Sequence, residues 1–557
     1  MTGMKSLDKN GKIRKKFFWC VFLVILFLQI AWAFYWCRQK EGYYVDEEFT
    51  YSLSNSYYEP FLNFTSDYFN TWHDKSYFHN ALTVQPGQRM DFASVAYNQG
   101  EDVHPPLYYY IIHFLSSLKT DFFSKWIGLA PNLVFFAITL VLTFLLAREV
   151  TGDRLKALIS CAFFGFSAGA MADVLYIRMY MLLTLWIVLS FLLHVRLIKA
   201  IMHKEDKKKA QCMKLLFFTT FAGLMTQYYF LIIQFFLSGV FILILLKEKQ
   251  IRAFLDYILA QGASVFVYFI AWPKFFEHVL GIGQRGNTYR AMEARENILN
   301  YREAGQRIVY FLQKVNREMF GGYGVWIFLG LILVWVVAIC YTRRTGQKTE
   351  RSKEFIYAQA MLWLPTFLYI ILVSILVPDF SMVKGCIGTR YFWPVYPLVA
   401  VGTVSLIMRG INRVWKAKAS VVVVALMACI CIIGEFSQEN AHDELLYKGY
   451  DALKAQMEQE NCRAILITNG DYTYMYQLTL LESHPQVACV TAEDFADFFR
   501  QNCMRDGKIS EKYVIYVGTS YDLTIFRQTM FDMLDEVGVK NREFIGYFGG
   551  NIFEVYP

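Results

Sequence analysis

The sequence predicts an α-helical polytopic membrane protein with about eleven transmembrane helices, a large first extracytoplasmic loop and a small C-terminal extracytoplasmic α/β domain. Three observations predict it. Apolar runs near the length of helix that crosses a ~30 Å hydrocarbon core recur along the chain. Short lysine and arginine clusters fall between the runs at alternate junctions, which is how cytoplasmic loops are marked. From residue 435 to 557 the pattern changes to alternating helix-like and strand-like segments.

Composition agrees. Of 557 residues, 55% are hydrophobic and 18% charged, too few polar groups to cover such a chain in water. A soluble enzyme on a single anchor is thereby excluded. The net charge of +8 is dispersed in the clusters between apolar runs, so topology accounts for it and nucleic-acid binding does not. Cys20, Cys161, Cys340, Cys429 and Cys431 sit inside apolar runs, and no CxxC spacing occurs. Neither a zinc site nor a disulfide framework is indicated, although Cys462, Cys489 and Cys503 are available to pair in an oxidising compartment.

Residues 17–36 carry no charge and follow Lys5, Lys9, Lys12, Arg14, Lys15 and Lys16. The run is too long for a signal-peptide core and no small-residue cleavage site follows, so it reads as an uncleaved first span with a cytoplasmic amino terminus. Residues 38–125 then form an extracytoplasmic loop. Within it, Glu101-Asp102-Val103-His104-Pro105-Pro106-Leu107 continues as an apolar helix to about Leu118; at ~1.5 Å per residue about fifteen residues reach only about 22 Å, too short to cross and suited to the outer interface. Spans follow at 126–147, 157–173 and 178–195. The run 215–246 is split by Thr226-Gln227-Tyr228-Tyr229, and 254–272, 323–341, 355–377, 391–408 and 420–434 complete the set. This places the carboxyl terminus outside, in a multi-pass protein of the cell membrane. Two domains result, 1–434 in the membrane with the 38–125 loop, and 435–557 outside. In the tail, 443–460, 493–502 and 522–537 read as helices and 464–468, 487–490, 513–517 and 552–555 as strands, with Gly546–Asn551 as a hairpin turn.

Every group capable of chemistry falls on the outer side. Asp46, Glu47 and Glu48 are either solvated loop charges or a catalytic or cation-binding cluster; three adjacent carboxylates repel one another and favour a basic or cationic companion. Asp102 and His104 are spaced for a metal on an extended segment, but two ligands do not make a site, and His104 serves equally as a cap before the prolines. Arg178, at an outer helix junction followed by Tyr180, either snorkels to the interface or binds phosphate; Arg390, followed by Tyr391, occupies an equivalent boundary, and two arginines at one depth favour an anion site. Tyr228 and Tyr229 suit an aromatic belt.

Together, Val45-Asp46-Glu47-Glu48-Phe49, Asp102-Val103-His104-Pro105-Pro106, Arg178-Met179-Tyr180, Gln227-Tyr228-Tyr229 and Arg390-Tyr391-Phe392 resemble the GT-C membrane glycosyltransferases. The resemblance is to bacterial members of glycosyltransferase family 39, relatives of protein O-mannosyltransferases and the lipid A aminoarabinose transferase, and covers roughly residues 15–435. It implies transfer of a sugar from a polyprenyl-phosphate donor to an envelope glycan, lipid or protein acceptor. Asp46 would be the catalytic base, with Glu47 adding negative potential. Asp102 and His104 would be the ligands of a divalent cation, Arg178 and Arg390 the donor-phosphate site, and Tyr180, Tyr228 and Tyr391 substrate contacts. Gln227 stands where relatives often have histidine, and Glu48 has no counterpart.

A lipid or sugar transporter would instead show ionisable residues near span centres and repeated halves; here the acids lie in loops and no repeat is seen. A non-catalytic envelope-assembly protein would leave the acidic segment and the proline-led helix unexplained.

Overall fold

The computed structural model describes residues 2–60, 62, 68–280, 296–345, 353–377, 386–414, 418–436, 441–468, 477–518, 531–547 and 550–557. They form two compact units. One comprises Met1–Arg38, Val103–Leu107 and Leu129–Glu444, the other Gln39–Asp102, Tyr108–Gly128 and Leu445–Pro557. In chain order, α1 (Thr2–Gln39) leads to α2 (Val45–Asn55), α3 (Lys75–Leu82), α4 (Phe92–Glu101) and α5 (Leu107–Leu118). Then come α6 (Trp126–Thr151), α7 (Arg154–Gly165), α8 (Ala168–Leu175) and α9 (Tyr180–Met202).

The first unit is built of apolar helices. Among the described residues, eight are long and apolar enough to cross a membrane. These are Lys16–Gln39 of α1, α6, α9, Tyr229–Lys247, Ile251–Ala271, Gly324–Tyr341, Lys353–Leu376 and Trp393–Ile411. The pair α7 and α8, bent by 58°, makes a ninth if counted as one broken span. The break has a local cause: Phe166 ends α7, and the Ser167 hydroxyl caps α8 by accepting from the Ala170 amide. The expected eleven spans thus become eight or nine. Asp206–Thr226 forms where a helix was expected but opens on charged residues, and the apolar part of the last helix, Val421–Glu435, is short.

The second unit joins the first loop to the tail, whereas the sequence reading assigned the loop to the membrane domain. Its six-stranded sheet contains β1 (Trp72–Asp74), β2 (Arg463–Ile467), β3 (Gln486–Val490), β6 (Tyr513–Gly518), β7 (Arg542–Tyr547) and β8 (Gly550–Val555), in the order β1-β3-β2-β6-β8-β7. Two short strands, β4 (Met504–Arg505) and β5 (Lys508–Ile509), pair separately. β2 runs parallel to both β3 and β6, and its Ala464-Ile465-Leu466-Ile467 is buried throughout, as central parallel strands are. The loop contributes β1, antiparallel to β3 with Trp72 opposite Ala488. The Trp72 ring packs on Phe498 and lies under the Arg463 guanidinium, 4.6 Å from its centroid. The expected hairpin appears as β7 pairing β8, Tyr547 opposite Asn551, with 548–549 outside the described residues. The expected helix at 522–537 is described only from 531. Cys462, Cys489 and Cys503 are buried free thiols, not a disulfide.

His484 lies in this core. Its Nδ1 meets the Cys462 carbonyl at 2.9 Å and its Nε2 the Tyr516 hydroxyl at 2.7 Å. Burial lowers its pKa from 6.5 to about 4, so the native form is the neutral imidazole. The associated stability is complete above the unfolded value and is lost as pH falls from about 6.5 towards 4, by about 3 kcal/mol in all. Thermal unfolding of the full chain between pH 7 and pH 5 should therefore drop more steeply in the native protein than in His484→Gln; equal slopes would contradict this.

Candidate active site

Asp46, Glu47 and Glu48 occupy the first turn of α2, where a helix N-terminus favours negative charge. The structure gives the three carboxylates different tasks. Glu47 is fully buried and paired with the equally buried Lys40 at 2.9 Å; the same oxygen accepts the Tyr44 amide at 2.7 Å, closing the helix start. Lys40 also donates to the Leu445 carbonyl at 2.7 Å. Glu47, expected to add negative potential to the site, is thus charge-paired where it sits.

Glu48 is buried as well and reaches the tail. It accepts the Leu478 amide at 3.0 Å and the Thr479 hydroxyl at 2.7 Å. The far end of α2 is held too: Asn55 donates to the Leu82 carbonyl at 2.7 Å, and His113 of α5 meets the Ser54 carbonyl at 2.7 Å. Asp46 alone of the three is only half-buried. Glu48 and Lys40 escaped the sequence reading as anchors because their partners lie more than four hundred residues away, at Thr479 and Leu445.

Asp102 ends α4 as its C-cap, and His104, mostly buried, lies in the proline-containing turn before α5. Among the described residues no group of three or more His, Cys, Asp or Glu side chains is placed to hold a metal ion.

The arginine corners are joined within the membrane unit. Arg178 is buried in the link between α8 and α9, where Asn132 of α6 donates to the Val174 and Tyr176 carbonyls at 3.1 and 2.9 Å and so fixes the turn. Tyr180 opens α9 and meets the Tyr391 ring edge-on, centroids 5.8 Å apart, while Tyr229 packs on the other side of Tyr391 at 4.9 Å. The Arg390 guanidinium lies 4.8 Å from the Tyr391 centroid. The Tyr180–Tyr391 contact therefore connects the corner bearing Arg178 to the one bearing Arg390. Tyr228 is placed apart from this set: its hydroxyl accepts from the Trp272 indole at 3.0 Å and meets His278 Nδ1 at 2.7 Å. Gln227 is buried and its side-chain oxygen accepts the Tyr228 amide at 2.6 Å, a backbone-holding role.

Behind Arg390 stands Glu318, which the sequence reading did not single out. Buried on the helix Tyr301–Phe320, it accepts from the Thr389 hydroxyl at 2.5 Å, the Trp393 indole at 3.0 Å and the Tyr396 hydroxyl at 2.5 Å. Burial still pushes its carboxyl up to about 7. Gly169 allows the Tyr396 ring to approach, since a Cβ there would lie 2.3 Å from the ring.

Along essentially their whole lengths the chain and ArnT from Cupriavidus metallidurans in the apo state superpose with a TM-score of 0.50, at 11% identity and 98% coverage of both. The chain has a GT-C fold. The undecaprenyl-phosphate-bound form of the same ArnT is similar at TM-score 0.49, 11% identity and 97% coverage of both chains. An Archaeoglobus fulgidus oligosaccharyltransferase tethered to an acceptor peptide is similar at TM-score 0.37 and 12% identity, over 80% of this chain and 65% of that one. No protein-family model matches the sequence, and no curated protein does.

Burial raises the Glu48 carboxyl from 4.5 to about 8, against the lowering effect of the bonds from Thr479 and Leu478. The native form near neutrality is therefore the protonated acid, and stability falls as pH rises through the folded value. Between pH 7 and 9 the loss amounts to about 1 kcal/mol. Unfolding midpoints across that range should decline in the native protein and stay flatter in Glu48→Gln; a decline unchanged in the variant would remove Glu48 as its source.

Proposed function

We propose that the protein is a glycosyltransferase that moves a sugar from a polyprenyl-phosphate donor to an acceptor hydroxyl at the extracytoplasmic membrane face, inverting the anomeric centre. The observation that carries this reading is the GT-C fold shared with apo ArnT over 98% of both chains, combined with an acidic helix start at Asp46 and a tyrosine-linked pair of arginines. ArnT has been seen bound to undecaprenyl phosphate; a polyprenyl-phosphate carrier is the corresponding donor here.

Asp46 is the base. Its carboxylate, favoured at the first turn of α2, takes the proton of the acceptor hydroxyl as that oxygen attacks the anomeric carbon. The bond from that carbon to the phosphate oxygen breaks through an oxocarbenium-like transition state, and the lipid phosphate leaves with the electron pair. Arg178 and Arg390 hold the departing phosphate, whose charge grows as the bond opens; guanidinium forks suit that task better than ammonium groups. Tyr180 and Tyr391 fix the arginine corners and line the sugar's approach. The outer face follows from the basic clusters kept inside and from the lipid carrier itself, which supplies an activated sugar where nucleotide sugars are absent.

Purified protein given a panel of polyprenyl-monophosphate sugars with envelope acceptors should release free polyprenyl phosphate. Asp46→Asn should lower that rate by about a hundredfold or more while carrier binding persists, and Arg390→Lys should weaken carrier binding by about tenfold. Full activity in Asp46→Asn would remove it as base; no turnover with any carrier alongside lipid or sugar flux in vesicles would favour a transporter.

A further inference from the structure

Thr389 to Phe392 close as a tight turn: the Phe392 amide donates to the Thr389 carbonyl at 2.8 Å, which leaves Arg390 and Tyr391 at the tip. Both residues at the base of that turn are held by one helix, Tyr301–Phe320. Phe311 packs on the Phe392 ring at 4.9 Å, and Glu318 Oε1 accepts the Thr389 hydroxyl. The tip is held as well, since the Tyr369 hydroxyl donates to the Tyr391 carbonyl at 2.8 Å.

Through its second oxygen Glu318 reaches the corner of Arg178. Oε2 accepts the Trp393 indole at 3.0 Å, and the Trp393 ring stands edge-on to Tyr176 and Tyr180, centroids 5.8 and 6.3 Å away, the residues two before and two after Arg178. The same oxygen accepts the Tyr396 hydroxyl. A Cβ on Gly169 of α8 would stand 2.3 Å from the Tyr396 ring and 3.4 Å from the Glu318 Cβ, so α8 closes on both. One carboxylate therefore ties the turn of Arg390 to the link that carries Arg178. Packing alone does not call for an acid at this place: a leucine would fill the space without the desolvation cost of a buried carboxylate. Three directional bonds to one short segment fix its position as well as its contact.

We propose that Glu318 is the positioning residue of the donor-phosphate site: it sets where Arg390 stands relative to Arg178, and through that spacing the affinity for the carrier's phosphate. This role rests on the two arginines holding the donor phosphate, as proposed above. Glu318 exchanges no proton and forms no bond with substrate; it acts through Arg390.

The full chain in lipid nanodiscs is titrated with a polyprenyl monophosphate and, separately, with the polyprenol of the same chain length, so that the phosphate's share is read as the ratio of the two dissociation constants. In the native protein that ratio should be about a hundredfold in favour of the phosphate. Glu318→Leu, which keeps the bulk and accepts nothing, should lower the ratio by about tenfold, and Thr389→Val, which removes one donor and keeps the shape, by about threefold. Polyprenol affinity should stay within about twofold of native in both. An unchanged ratio in Glu318→Leu would overturn the role; if that variant fails to fold, an unchanged ratio in Thr389→Val overturns it. Equal weakening towards both lipids would overturn it too, because that marks a general loosening and not a misplaced Arg390. A native protein that binds the two lipids alike would remove the phosphate site itself, and the role of Glu318 with it.

Discussion

The buried ion pair between Lys40 and Glu47 is the contact on which the acidic helix depends. Both side chains are inaccessible to water, and an ammonium and a carboxylate in that position persist only if their bonding is complete. Completion comes from three directions: the Glu47 carboxylate, the Leu445 carbonyl and the face of the Tyr447 ring. The residue directly after the first span is thereby tied to the start of α2 and to the start of the tail. Glu48 repeats the device one residue further on, through Leu478 and Thr479. The tail is in this sense structural equipment for the acid segment.

The membrane unit solves a parallel problem with a different device. Arg178 and Arg390 lie at junctions between helices, and the tyrosines beside them, Tyr180 and Tyr391, are in ring contact. Tyr391 sits between Tyr180 and Tyr229, while Glu318 gathers three donors from the segment Thr389–Tyr396. A buried carboxylate with all its bonds made is a strong local constraint; removing any one donor leaves the others to hold a costly group.

Much of this was legible in the sequence because the signals are local. Apolar runs of membrane length, basic flanks and the 3.6 and 2.0 periodicities of the tail depend on neighbouring residues alone, and they located the helices and the strands β2, β3, β6 and β8. The span count was overestimated because two runs with helical character, at 206–226 and 421–435, differ from spans only in a charged start and in length. Edge strand β7 was missed since Arg542, Glu543 and Gly546 do not alternate like a half-buried strand. What could not be read were pairings across hundreds of residues. Lys40 looked like a span flank, Glu48 like one of three solvated acids, and Glu318 like a residue of an outer loop. Trp72 gave no sign that the first loop supplies a strand to the tail's sheet.

The most direct measurement is amide hydrogen exchange of the full chain in nanodiscs, native against Lys40→Met, read over the peptide covering Val45–Asn55. Leaving Glu47 buried without its partner costs about 3–5 kcal/mol, so protection in α2 should fall by about a hundredfold or more while the central strand β2 stays protected. Unchanged protection across α2 in the variant would contradict the account, because the acidic helix would then be held by something other than the ion pair that joins it to the tail.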